Sequence, residues 1–246
     1  MHPRTKHLAV AIATMALLAF AGTAQATNLV TNGSFESNGG NGQFNFTTTA
    51  TGWSVPSPGY TFLFAPGTAD TSGATGQYGF LALWGPGNGA ANGLPATSPD
   101  GGYYIAQDSD FQPGALTQTI TGLTPGHSYT VGFWWAAAQQ YQFDGSTYDA
   151  WIVSLGSSSQ TTATVNIPSH GFSGWMYQSF TLTADNTSDV LSFFAVGGPS
   201  SGVPPFALLD GVTLTETTPE PGTLALLGSG LLGGLGVIRS KSWFKR

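Results

Sequence analysis

Ser128-Tyr129-Thr130-Val131-Gly132-Phe133-Trp134-Trp135 is the stretch on which the fold turns. Successive side chains of a strand point to opposite faces, so Tyr129, Val131, Phe133 and Trp135 share one face, and Thr130, Gly132 and Trp134 share the other. The first set is apolar and aromatic, which assigns it to a core. Working outward, Trp151 with Val153 and Leu155, Phe180 with Leu182, Leu191 with Phe193, and Val212 with Leu214 repeat the alternation. Between these runs, Thr124-Pro125-Gly126, Asp185-Asn186-Thr187-Ser188-Asp189 and Gly197-Gly198-Pro199 carry turn chemistry. Several short strands at such spacing predict an all-β, two-sheet sandwich over residues 27–217. The Gly-, Pro- and Asn-rich segment from Gly67 to Gly102 reads as long surface loops rather than a second domain.

Charge is distributed unevenly along the 246 residues. All six basic side chains, Arg4, Lys6, Arg239, Lys241, Lys245 and Arg246, lie near the termini, whereas the twelve acidic ones run from Glu36 to Glu220. The central domain therefore contains no Lys or Arg with which to neutralise phosphates, which argues against nucleic acid and anionic lipid surfaces as partners. It also has no Arg or Lys for an internal salt bridge, so each buried carboxylate needs backbone N–H groups, hydroxyls, water or a bound cation. Cysteine is absent, which removes disulfides, CxxC redox pairs and thiolate zinc sites.

The two ends read as addresses. Arg4, Lys6 and His7 precede an apolar run from Leu8 to Gly22, and Ala24-Gln25-Ala26 supplies a small-x-small cleavage pattern, so residues 1–26 read as a signal peptide cut after Ala26. At the other end, in residues 218–246, Pro219-Glu220-Pro221 is followed by an apolar span, 223–238, and a basic end, 239–246. A helix of that span reaches roughly 24 Å, slightly short of a hydrocarbon core, and the positive end predicts a cytoplasmic C-terminus. This ordered motif, span and charge resembles the PEP-CTERM sorting signal. The resemblance implies recognition by an exosortase, a single hydrophobic helix anchored transiently in the inner membrane, and delivery to the cell surface or beyond.

A second resemblance covers the domain between. Asn28-Leu29-Val30-Thr31-Asn32-Gly33-Ser34-Phe35-Glu36, then Gly52-Trp53, Leu116-Thr117-Gln118-Thr119-Ile120, Leu123-Thr124-Pro125-Gly126 and Leu209-Asp210-Gly211-Val212-Thr213-Leu214 are similar to the galactose-binding-like jelly rolls of many carbohydrate-binding modules. That likeness implies a structural calcium near the chain's start and its last strand, with Glu36 and Asp210 as the matching carboxylates. Strand parity adds to it: Asp210 falls in step with Leu208, Val212 and Leu214 and points inward unless a bulge at Gly211 breaks the alternation. Either a cation held by oxygen ligands or backbone hydrogen bonds beside a turn would satisfy it.

Signs of catalysis are sparse. No GxSxG elbow, HExxH helix, P-loop or dinucleotide fingerprint occurs, and His127 and His170 both sit in loops. Asp108 with Asp110, or Asp144 with Asp149, offers a formal carboxylate pair, but loop carboxylates are usually solvated. Ligand binding is better supported, since the domain carries Trp53, Trp84, Trp134, Trp135, Trp151 and Trp175, and sugar rings stack on aromatic faces. Trp134 faces away from the assigned core, which makes it the candidate platform, with Tyr104, Gln139 and Tyr141 as neighbours. The expectation is a non-enzymatic surface or matrix protein associating with exopolysaccharide or other matrix proteins. A secreted polysaccharide hydrolase and a matrix protein with no glycan ligand are the alternatives.

Overall fold

The computed structural model describes residues 27–56, 59–199 and 202–217. Ala24 and Ala26, the Pro219-Glu220-Pro221 motif and the apolar span lie outside them. Among the described residues no helix is long and apolar enough to cross a membrane.

Among the described residues thirteen strands follow in chain order: β1 Gly42–Gln43, β2 Thr61–Phe64, β3 Ala74–Gly76, β4 Gly79–Leu81, β5 Tyr104–Asp108, β6 Leu116–Thr121, β7 Ser128–Gln139, β8 Thr147–Leu155, β9 Ser158–Thr161, β10 Val165–Ile167, β11 Met176–Thr183, β12 Ser188–Gly198 and β13 Pro205–Glu216. One sheet has the order β1-β2-β5-β13-β7-β11, and the other β10-β8-β12-β6 with β9 on β8. All of these pairs are antiparallel. The all-β sandwich is thus as the alternation requires. Between the sheets lie Tyr129, Val131, Phe133 and Trp135 from β7, facing Trp151, Val153, Leu155, Leu191 and Phe193.

The Gly67–Gly102 segment departs from expectation. Instead of loops in solvent, it forms the β3–β4 hairpin and a short 3-10 turn at Pro86–Asn88, and buries Ala69, Leu81, Leu83 and Leu94 on the outer face of the six-stranded sheet. There they meet Phe62, Phe64, Tyr104, Ala136, Ala138, Phe206 and Leu208 in a second core. This explains why β2 and β5, and the first half of β13, are buried residue after residue without alternation: strands covered on both faces lose their polar stripe. Gly197 and Gly198 likewise extend β12 by pairing with Asp149 and Tyr148 rather than forming a turn.

A bulge breaks β13. Pairing with β7 shifts register between Asp210 and Thr213, with Gly211 at φ 59°, a conformation glycine adopts at little cost. Ala207 and Leu209 before it, and Val212 and Leu214 after it, all face the inter-sheet core. Asp210 therefore continues the Phe206–Leu208 row and points outward, beneath the covering segment, where it is nonetheless fully buried.

Candidate cleft at the sandwich end

The end of the sandwich where β5 and β7 finish and β13 begins carries a cleft of about 370 Å³. Its apolar walls come from Tyr60, Tyr78, Phe111 and Phe143, and its polar groups from Asp108, Asp110 and Gln140. Three rings brace one another: Tyr60 meets Tyr78 at 5.8 Å and Phe111 at 5.5 Å, and Tyr78 meets Phe111 at 5.6 Å. Tyr60 is buried, while Tyr78 is 62% exposed and Phe111 46%, so the two outer rings offer surface to a ligand. Local geometry fixes the floor. The Asp108 backbone N–H donates to the Tyr60 carbonyl at 3.0 Å and the Tyr60 N–H to that of Gln112 at 3.0 Å. The chain turns at Asp108 because its Oδ1 accepts the backbone N–H groups of Asp110 and Phe111 at 2.9 and 2.8 Å.

Asp108 is only 1% exposed, and burial, outweighing those two hydrogen bonds, pushes its carboxyl up to about 7. Burial, with Asp108 nearby, pushes Tyr60 up to about 12. Behind them Asp149 is wholly buried, accepts a hydrogen bond from Ser109 at Oδ1, leaves Oδ2 without a partner, and is raised well above the usual carboxylate range by burial. Asp108 and Asp149 are therefore not the solvated loop acids expected from sequence. With no Lys or Arg in residues 27–217, Asp108 has backbone amides for one oxygen and Asp149 has the Ser109 hydroxyl for one oxygen.

The anticipated binding residues do not converge. Trp134 does face outward, half-buried, packed edge-on to the exposed Tyr177 at 5.3 Å, while Trp135 lies in the core. Tyr104, however, is buried in the second core against Trp175 at 5.5 Å, because the covering segment lies over it, and is no sugar contact. Gln139 is also buried, donating to the Phe143 carbonyl at 3.0 Å and accepting the His170 N–H at 2.6 Å. Tyr141 packs edge-on to Trp84 at 4.6 Å, and His170 stacks on Trp84 at 3.8 Å, so Gln139 and Tyr141 belong to that cluster and not to Trp134.

Burial is the main cause of the rise of the Asp210 carboxyl to about 8, and the charges of Asp100 and Glu36 add to it. Asp210 accepts hydrogen bonds from Ser98 and, at 2.8 Å, from the Gly211 N–H; Glu36 accepts the Tyr103 N–H at 2.6 Å. These are oxygen donors of the kind calcium takes. Among the described residues, though, no three His, Cys, Asp or Glu side chains are arranged to hold a metal. His127 pairs with Glu216 and His170 with Asp144, each at 2.5 Å and each at the surface.

The cleft residues were missed because Tyr60, Tyr78 and Phe111 lie in three segments without strand periodicity. The legible signal was local: Asp108-Ser109-Asp110-Phe111 is a turn sequence that puts an aromatic beside two acids.

Fold and site define a jelly-roll β-sandwich with an aromatic, acidic cleft at one end. Its tail adds a second identification: residues 217–240 match the PEP-CTERM protein-sorting motif, so the chain carries the sorting signal of an exported protein. Over 232 residues it is 28% identical to halomucin of Haloquadratum walsbyi; this covers 88% of the chain and spans about 2% of that curated relative's length. Similar solved structures include carbohydrate-binding modules. One is TmCBM61 in complex with β-1,4-galactotriose, with 16% identity, TM-score 0.42, 78% of this chain and 99% of that one. Another is the CBM22-1–GH10 part of Clostridium thermocellum xylanase 10B with xylohexaose, with 15% identity, TM-score 0.41, 78% of this chain and 29% of that one.

Proposed function

We propose that the domain is a non-catalytic glycan-binding module that, after export and exosortase processing, associates with exopolysaccharide at the cell surface or in the extracellular matrix. The tail would hold it briefly in the inner membrane with the C-terminus in the cytoplasm before release. The observation that carries the glycan reading is the cleft: exposed rings of Tyr78 and Phe111 beside carboxylates and the Gln140 amide form the mixed lining that sugars require. Pull-down with the producer's exopolysaccharide, combined with an assay for released reducing ends, tests it. Saturable binding lost in Tyr78→Ala and Phe111→Ala, without release, is expected. Binding lost only in Trp134→Ala would move the platform to Trp134 and Tyr177. No binding in any form would leave a matrix protein whose partners are other proteins.

One observation favours a second reading. A carboxyl held near 7 in an aromatic cleft, with Asp110 next to it, has the character of a glycosidase general acid. Release of reducing ends that stops in Asp108→Asn would make the protein a hydrolase. We also propose one structural calcium at Glu36 and Asp210, supported by a buried Asp210 whose carboxyl feels Asp100 and Glu36 in a domain without Lys or Arg. Calcium would have to turn the carboxylates from their present Ser98 and Tyr103 donors. Its signature is a melting temperature raised by calcium in the parent and unchanged in Asp210→Asn; identical melting with calcium and chelator in the parent excludes it.

A further inference from the structure

The aromatic rings explain why a sugar would stack in the cleft, but not why two carboxylates line it. Asp108 uses Oδ1 for the two backbone amides of its turn, while Oδ2 takes no donor among the described residues, although the side chain is almost wholly buried and lines the cleft. Asp110 lines the same space, and the remaining polar side chains there, Tyr60, Tyr78 and Gln140, are neutral. Cationic help from the protein is missing: residues 27–217 contain no Lys or Arg, and both of their histidines are engaged by Glu216 and Asp144.

This arrangement discriminates among glycans by charge. A uronic acid or a sulfated sugar would bring an anion against Asp108 and Asp110 with no counter-charge present, and such juxtaposition is a strong bar to binding. A neutral hexose gives Oδ2 an ordinary hydroxyl donor. An ammonium gives it a charge-assisted hydrogen bond, roughly twice as strong as a neutral one, and cancels a carboxylate that has no other cation. The electron-rich faces of Tyr78 and Phe111 also favour a cation beside them.

Resting on the reading that the cleft binds glycan, we propose that its ligand is a cationic amino sugar, a hexosamine with a free amine. The ammonium sits on Asp108 Oδ2, and the C–H face of the ring lies on Tyr78 or Phe111.

Calorimetric titration of the exported domain with three short probes tests this: a glucosamine trimer with free amines, its N-acetylated counterpart and a neutral glucose trimer. The free-amine trimer should bind at least tenfold more tightly than the other two, and added salt should weaken it selectively. Asp108→Asn keeps an acceptor for the turn amides and should remove most of the preference. Asp110→Asn, a milder change to the fold, should lower it in part. Tyr78→Ala should weaken all three probes, since each stacks a ring there. Glu216→Gln removes one carboxylate at the far end of β13 and should change nothing; an equal loss there would mean diffuse attraction to an acidic surface and would overturn the inference. Equal binding of free-amine and neutral trimers, both sensitive to Tyr78→Ala, overturns the amine preference and leaves the glycan reading standing. Failure of every probe and of the whole exopolysaccharide removes both.

Discussion

Acidification from pH 8 to pH 5 should stabilise this domain, the reverse of the usual effect of protonating native carboxylates. The reason lies in Asp108, Asp149 and Asp210, which are buried with no Lys or Arg to pair with and whose folded-state affinity for protons exceeds that of the unfolded chain. A carboxyl that titrates at 3.8 unfolded and at about 7 or about 8 folded binds more protons in the native state throughout that window. Stability is then fully present below the unfolded value and is lost as pH rises through the folded one. Integrated between pH 5 and pH 8, the difference is about 3 kcal/mol for Asp108 and about 4 kcal/mol for Asp210, with Asp149 acting in the same direction. For a domain of this size each kcal/mol moves the melting temperature by about 2–4 °C, so a rise of at least 10 °C on going from pH 8 to pH 5 is expected. Differential scanning calorimetry at several pH values, in chelator so that no cation compensates the carboxylates, measures it. Asp108→Asn and Asp210→Asn should each flatten the dependence, since neither amide titrates. The surface pairs of His127 and His170 contribute little to stability, and His127→Gln with His170→Gln subtracts them. A melting temperature that is flat or rises from pH 5 to pH 8 in the parent would refute the reasoning, because it would mean that these carboxylates are ionised in the native state at no cost.

Trp135→Ala empties a site in the inter-sheet core and should cost about 3–5 kcal/mol in chemical denaturation, whereas Trp134→Ala, on the outer face, should leave the domain folded; the opposite ranking would place the register of β7 one residue out. Gly211→Ala puts a side chain at φ 59° and its Cβ 3.1 Å from both Asp100 and Trp134, so a loss of about 1–2 kcal/mol is expected, and an unchanged denaturation midpoint would contradict the bulge. Protein recovered outside the cell should lack residues 1–26 and the chain beyond roughly Pro221; an intact mass that retains the apolar span would count against exosortase-type removal.

What could be read in one dimension was whatever repeats with the period of a strand or is ordered along the chain. Tyr129, Val131, Phe133 and Trp135 alternate because only one face of that part of β7 is fully covered, so the inner sheet face and the outward position of Trp134 follow from spacing alone. The sorting tail is legible for the same reason, since motif, span and charge follow one another. The absence of Lys and Arg likewise told that buried carboxylates would have no salt-bridge partner, while only the folded state showed that Ser98, Ser109 and backbone amides donate to them. Three further matters were decided only in the folded state. Gly67–Gly102 has no periodicity, yet it covers a sheet face, because burial of Leu81, Leu83 and Leu94 depends on what lies beneath them. The facing of Asp210 hung on a single bulge, which reverses every side chain after it. And the cleft exists because antiparallel pairing of β2 with β5 brings Tyr60 beside Asp108, about fifty positions apart, and the turn of the β3–β4 hairpin adds Tyr78, a juxtaposition that no local pattern encodes.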